Sequence, residues 1–171
     1  QLVGPRWYEE IHAASQPPGL RGRFPLLVKW LDAQQNLSLQ VHPNSQQAAL
    51  LDPPDLGKSE AWYVADAAPG ARVYAGLLPG VDRAACEQAI AAGRLAEVLY
   101  HFSPQAGDCI YIPAGTIHAI GAGLLVAEVQ QASDTTYRLH DWDRVGDEGR
   151  PRALQIEQAL AVAYWQRGPV P

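Results

Sequence analysis

The sequence predicts an all-β sandwich or barrel with inserted helices. Three observations carry this reading. Short apolar or alternating runs recur along the 171 residues. Turns rich in Gly and Pro separate them. The strict βαβ alternation that a doubly wound sheet needs is missing.

The elements follow in chain order. Phe24–Leu31 (FPLLVKWL) is a mostly continuous apolar run, the pattern of a strand buried on both faces. Leu37–His42 (LSLQVH) alternates, so Leu37, Leu39 and Val41 share one side, and Ser38, Gln40 and His42 the other. Pro43 ends that strand. Ser45–Leu51 reads as one or two helical turns. Asp52–Gly57 is loop, because two prolines and a glycine oppose both kinds of backbone ladder. Glu60–Ala65 and Arg72–Leu77 read as strands joined by a turn at Pro69–Gly70. Asp82–Tyr100 is the clearest helical stretch, Ala-rich, with Asp82 as N-cap and a break at Gly93. Asp108–Ile112, Leu124–Gln131 and Thr135–Asp141 are further strands, the second entered through a tight turn at Gly121–Gly123. Ala153–Ala163 is an amphipathic helix. Residues 1–23 are mixed and rich in Pro and Gly, with a short helix expected near Trp7–Ala14.

Composition narrows the function. A chain of 171 residues fits one domain and buries roughly 70% of its unfolded surface without staples. The net charge of −5 argues against a general nucleic-acid surface, which needs basic excess. A small anionic ligand stays compatible, since a pocket sets its own local field. The two cysteines, Cys86 and Cys109, form no CxxC and no disulfide framework, which favours a reducing compartment. No apolar run reaches the ~18 residues of a membrane span, and no signal-peptide pattern opens the chain. The sequence contains no methionine, so residues are expected to precede Gln1.

The residues able to do chemistry are few. Gln40 and His42 share a strand face that either lines a cavity or meets solvent. His118 follows the turn residues Pro113 and Gly115 in GDCIYIPAGTIH, a placement suited to a ligand at a barrel rim. Glu60 opens an apolar strand, as a solvated strand end or as a ligand offered to a cavity. Two imidazoles, one carboxylate and one amide oxygen form a nitrogen/oxygen set that suits zinc, with manganese, iron or cobalt as alternatives.

These motifs resemble a known family. Gly107–His118 fits the second cupin motif, G(x)5PxG(x)2H, with Ala122 where an asparagine often closes it. The usual His-x-His of the first motif is Gln40-Val41-His42, and its glutamate comes late, at Glu60. In these departures the chain resembles the type I mannose-6-phosphate (phosphomannose) isomerases of the cupin superfamily. The segments FPLLVKWLDA, LSLQVHP, GKSEAWY, IPAGTIHAIG, QQASDTTYRLHDWDR and PRALQIEQAL carry the likeness in order.

The resemblance implies a double-stranded β-helix, that is, a jelly-roll barrel. It implies one zinc per chain on Gln40, His42, Glu60 and His118, with Lys58 and Arg138 in the active site. It implies interconversion of mannose 6-phosphate and fructose 6-phosphate in the cytoplasm, with a hexose phosphate as partner and neither nucleic acid nor membrane. The expected organisation is an N-terminal segment at 1–23, a metal-binding core at 24–151 with its helical insertion near 82–100, and a C-terminal helix and tail at 152–171. Family members usually carry a longer N-terminal segment and more β structure after the C-terminal helix, so the completeness of the pocket is an open expectation.

The reaction needs a base to carry a proton between C1 and C2, and positive charge beside oxygens that become anionic. Arg138 can support an enediolate or clamp phosphate. Its plain alternative is a salt bridge to Asp141 or Asp143. Lys58 is a proton carrier or a loop charge, and the base stays open among Glu60, His42 and Lys58. Arg144 is the other cation near the motif for phosphate. Glu128 and Asp134 are candidates to accept histidine N–H groups. His12, His101 and His140 read as surface or structural. Trp30, Trp62 and Trp142 read as packing, with Trp142 the best placed of them to meet a sugar. The competing readings are a non-catalytic metal-containing cupin that binds sugars or sugar phosphates, and an iron-dependent cupin oxygenase. Gln40 and Lys58 count against the oxygenase.

Overall fold

The computed structural model describes residues 24–145, 149–166 and 168–170. The expected helix near Trp7–Ala14 and His12 lie outside them. In chain order the elements are β1 (Leu26–Ala33), β2 (Leu39–Val41), α1 (Ser45–Ala48), β3 (Glu60–Ala67), β4 (Val73–Leu77), α2 (Arg83–Ala91), a 3-10 turn (Leu95–Val98), β5 (Leu99–Phe102), β6 (Cys109–Ile112), β7 (His118–Ile120), β8 (Leu124–Gln131), β9 (Tyr137–His140) and α3 (Ile156–Val162). The strands form two antiparallel sheets, of order β1-β8-β3-β6 and β5-β4-β7-β2-β9. This is the expected jelly-roll sandwich. Among the described residues, no helix is long and apolar enough to cross a membrane.

Two apolar layers hold it together. Between the sheets, Trp62, Val64, Ile110, Ile112, Leu124 and Val126 of the four-stranded sheet meet Val73, Ala75 and Ile120 of the other. On the far side of the five-stranded sheet, Leu39, Val41, Leu139 and Ala119 pack under the helices, against Cys86, Ala159 and Val162. Strand alternation then fixes where the polar residues go. With Leu39 and Val41 turned out toward the helices, Gln40 and His42 face the sandwich interior.

The helices start where their caps dictate. Asn44 accepts from the N–H groups of Gln46 and Gln47, and the Gln47 side chain returns the bond to the Asn44 N–H, a capping box. Asp82 accepts from Ala85 N at 2.8 Å, as expected. The helical stretch is shorter than the sequence suggests. α2 ends before Gly93, which takes a φ of 68°, and Leu99–Phe102 turns into β5, paired to β4. Tertiary pairing overrides the local Ala-rich signal.

The run Phe24–Leu31 also differs from its reading. β1 is an edge strand, and its burial alternates. Val28 and Trp30 are 65% and 66% exposed, so Trp30 is not a packing residue. Among the described residues, helices cover only the outer side of the five-stranded sheet. The outer side of the four-stranded sheet shows Val28, Trp30, Tyr63 and Tyr111 to solvent.

One backbone contact sets the corner between β7 and β8. Gly121 N donates to Arg72 O at 2.8 Å, and a Cβ on Gly121 would lie 2.3 Å from that oxygen. Gly121→Ala is expected to cost about 1–3 kcal/mol in urea unfolding. Gly168→Ala, which meets nothing within 4 Å, should stay within about 0.5 kcal/mol of the parent.

Candidate metal centre

Three elements bring the site together. β2 leads into His42, β3 begins at Glu60, and β7 begins at His118. Gln40 and His118 are direct cross-strand partners, and so are Gln40 and Arg138. Cross-strand partners share a face, so Gln40, His118 and Arg138 all point inward. His42, Glu60 and His118 are each no more than 2% exposed, and Lys58 is 5% exposed. His118 is therefore inside the sandwich and not at its rim.

The ligand atoms converge. His42, Glu60 and His118 each offer one, all within 4.8 Å of one another. His42 Nε2 lies 3.3 Å from Glu60 Oε1, and His118 Nε2 lies 3.4 Å from Glu60 Oε2. Each imidazole gives its Nδ1–H to a backbone carbonyl, His42 to Thr135 O at 2.9 Å and His118 to Thr116 O at 2.8 Å. Those bonds assign the tautomer and leave both Nε2 lone pairs facing the carboxylate. Glu128 and Asp134 do not take these protons. Asp134 is exposed, and Glu128 binds Lys29 Nζ at 3.1 Å.

Gln40 completes the set in position. Its Nε2 is 3.5 Å from both His42 Nε2 and His118 Nε2, while its Oε1 accepts from Ser38 Oγ at 3.1 Å. Exchanging the amide oxygen and nitrogen would aim the oxygen at the imidazoles and let the nitrogen donate to Ser38 Oγ.

A cation fits this donor set. Both Glu60 oxygens are buried without a hydrogen bond. Lys58 Nζ lies 2.7 Å from Oε1 and 3.2 Å from His42 Nε2, near the carboxylate but not aligned with it. A buried carboxylate left in this condition is costly unless positive charge meets it. The titration behaviour agrees. Burial holds both imidazoles below the ordinary histidine range, His118 down to about 4 against the opposing field of Glu60. For Glu60, burial alone would raise the carboxyl. The contact with His42 and the charges of His118 and Lys58 outweigh it and hold the group below its usual range. Neutral imidazoles beside an ionised carboxylate are the protonation states that bind a divalent metal.

Two more cations border the interior. Arg138 Nε is buried and has no hydrogen-bond partner among the described residues. Asp141 does not pair with it, because Arg144 and Arg152 occupy that carboxylate. Lys29, which the sequence reading passed over, projects inward to Glu128 and Gln130. Its signal was available, as it is the one charge in FPLLVKWL. Trp62 packs edge-on against His118 at 5.5 Å, and its Nε1 is buried without a partner. Trp142 gives its Nε1–H to Leu37 O at 2.7 Å and packs against Tyr74, so it is committed to structure. His101 and His140 lie against Tyr74 and Trp142, as structural rings.

Fold and site define the class first: a jelly-roll protein with a buried His/Glu/His cluster, able to hold a metal ion, between its sheets. Comparison with known proteins narrows it. Residues 7–69 match the family described as phosphomannose isomerase type I, catalytic domain. The mannose-6-phosphate isomerase of Streptococcus mutans is 48% identical over 139 residues, covering 81% of this chain and 43% of that protein. Mannose-6-phosphate isomerase ManA of Bacillus subtilis is 42% identical over 156 residues, covering 91% and 49%. The crystal structure of the Bacillus subtilis mannose 6-phosphate isomerase superposes with a TM-score of 0.82 at 34% identity, over 98% of this chain and 55% of that one. The chain belongs to the type I phosphomannose isomerase family. It spans about half the length of the relatives it matches.

The His118 shift has a consequence for stability. The unfolded chain protonates this residue near 6.5 and the folded chain only near 4. Between those values the unfolded state holds more protons, so stability falls as pH falls. Metal-stripped protein is expected to lose about 3 kcal/mol across that window from this residue, read by urea melts at stepped pH. His118→Asn should show a decline shallower by that amount.

Proposed function

We propose that the chain is the metal-binding portion of a mannose-6-phosphate isomerase, interconverting mannose 6-phosphate and fructose 6-phosphate. The metal is zinc, one per chain, on Gln40, His42, Glu60 and His118. The observation that carries this reading is the fully buried Glu60 carboxylate, paired with Lys58 at 2.7 Å and facing two imidazole Nε2 atoms. The relatives, mannose-6-phosphate isomerases, supply the substrate class. The working unit is the core at 24–151, with α3 of the 152–171 segment packed on β9 and β2. Its compartment is the cytoplasm.

The chemistry divides among the side chains. A divalent cation held by the four ligands supplies Lewis acidity beside the sugar oxygens that become anionic. Arg138 shares the interior face with Gln40 and has an uncommitted Nε–H, so it offers donors to an enediolate or a phosphate. Lys58 stands next to Glu60 and His42. It is the group best placed to carry the proton between C1 and C2, because both imidazoles and the carboxylate are engaged as ligands. Lys29, bonded to Glu128 and Gln130 from the edge strand, adds positive charge beside the interior, its side chain 38% exposed. Gln40 and Arg138 are only half-buried, while the two imidazoles and Glu60 are sealed. Substrate therefore approaches from the Gln40–Arg138 side.

Metal content and turnover of mannose 6-phosphate in a coupled assay test the proposal on one sample. His118→Ala is expected to lose both. Arg138→Ala should retain one metal per chain and lose roughly 10²–10³-fold in kcat. Metal-replete protein that turns over no hexose phosphate would remove the catalytic reading.

A further inference from the structure

The two imidazoles are anchored in different ways. His118 donates to Thr116 O, two residues away in the chain. That carbonyl belongs to a local turn closed by Thr116 N donating to Pro113 O at 3.1 Å. His42 donates to Thr135 O, 93 residues away. Thr135 sits in the segment between β8 and β9, outside any sheet ladder. Its described local bonds are long ones from side chains: Thr135 N donates to Ser133 Oγ at 3.2 Å, and Thr136 Oγ1 to Asp134 O at 3.4 Å.

Asp55 adds a firmer hold. One carboxylate oxygen, Oδ2, accepts from both Thr135 Oγ1 and Ser133 Oγ, each at 2.7 Å. The other, Oδ1, accepts from Leu56 N at 2.8 Å, and Asp55 N donates to Ala48 O at 3.0 Å. Asp55 is thereby fixed to its own loop, against α1. Ser133 is fixed from the other side, because Gln130 Nε2 donates to its carbonyl at 2.9 Å. Ser133 Oγ also accepts from Thr135 N at 3.2 Å. The result is a continuous link from the loop ahead of Lys58 and Glu60, through the β8–β9 segment, to the back of His42. Two hydroxyls on one carboxylate oxygen are charge-assisted bonds, stronger and shorter than neutral ones.

We infer that Asp55 is a positioning residue of the metal centre: through Thr135 it fixes the carbonyl that orients the His42 ring toward the metal. This inference rests on the reading of His42 as a metal ligand. Without the carboxylate the Thr135 peptide is free to rotate, its carbonyl leaves Nδ1, and the ring loses both its tautomer and its aim. The described link from Asp55 to His42 runs through Thr135.

Cobalt(II) binding to the protein, followed by chelator competition and by the visible ligand-field spectrum, tests this without any activity measurement. Asp55→Ala and Thr135→Val are each expected to weaken cobalt binding about 10-fold, at the low end for groups behind metal ligands, and to change the spectrum. Thr135→Ser keeps the hydroxyl and should restore both. The double variant Asp55→Ala/Thr135→Val should bind no more weakly than Asp55→Ala alone, because the two act in series. Should Asp55→Ala fail to fold, Asp55→Asn and the Thr135 pair carry the same comparison. A folded Asp55 variant with unchanged affinity and spectrum, or additive losses in the double variant, overturns the positioning role. If instead the parent takes up no cobalt, or His42→Ala binds it as well as the parent, the ligand assignment of His42 fails first.

Discussion

The structure is organised around a carboxylate that cannot stay alone. Glu60 is 2% exposed, is held in its ionised form, and has no hydrogen bond to either oxygen. An isolated buried charge costs far more than a domain of this size can spare. Positive charge has to reach it: Lys58 stands alongside, and a cation would fit between the carboxylate and the two imidazoles. The strands that deliver those groups come from both sheets, so one electrostatic requirement ties the two layers at the same point. Elsewhere between the sheets the interior is ordinary apolar packing, from Trp62 to Ile120.

That requirement explains the unusual polarity of β2. In a simple two-layer sandwich the apolar face of a strand turns inward. Here Leu39 and Val41 turn outward, and helices supply the cover they need. α2, the 3-10 turn and α3 exist on that side because the interior face has been given over to Gln40 and His42. The four-stranded sheet follows the ordinary rule, with Trp62, Val64 and Val126 inward, and no described helix covers its outer face. A sandwich with a functional interior needs a second core, and this one builds it on the sheet that carries most of the ligands.

Much of the fold was legible in local pattern. β8 was readable from the strand run Leu124–Gln131 after the Gly121–Gly123 turn, and α2 begins at the expected Asp82 cap. The misses share a cause. β1 reads as buried on both faces because VKWL is apolar, yet whether a helix or water lies over Trp30 is settled by what the rest of the chain leaves uncovered. β5 was hidden in an Ala-rich helical stretch, and only pairing with β4 makes Leu99–Phe102 a strand. β7 was hidden by its length, three residues. In the site, Gln40, His42, Glu60 and His118 were named from spacing and motif. Lys29 was not, although it is the one charge in FPLLVKWL. The proton acceptors behind the imidazoles were sought among Glu128 and Asp134. Both acceptors are backbone carbonyls, which have no side-chain identity to read.

By itself the sequence determined the inventory and its local geometry. It set which residues alternate, that Asp82 starts a helix, and which two imidazoles, carboxylate and amide are candidates for metal-ligand chemistry. Those properties depend on neighbours within a few positions. Tertiary structure alone decided that the polar face of β2 is the inside, that Arg138 is withheld from Asp141, and that Thr135, 93 residues from His42, holds its ring. Such facts depend on which distant surfaces close on each other, and a chain carries no local mark of the partner that will cover it.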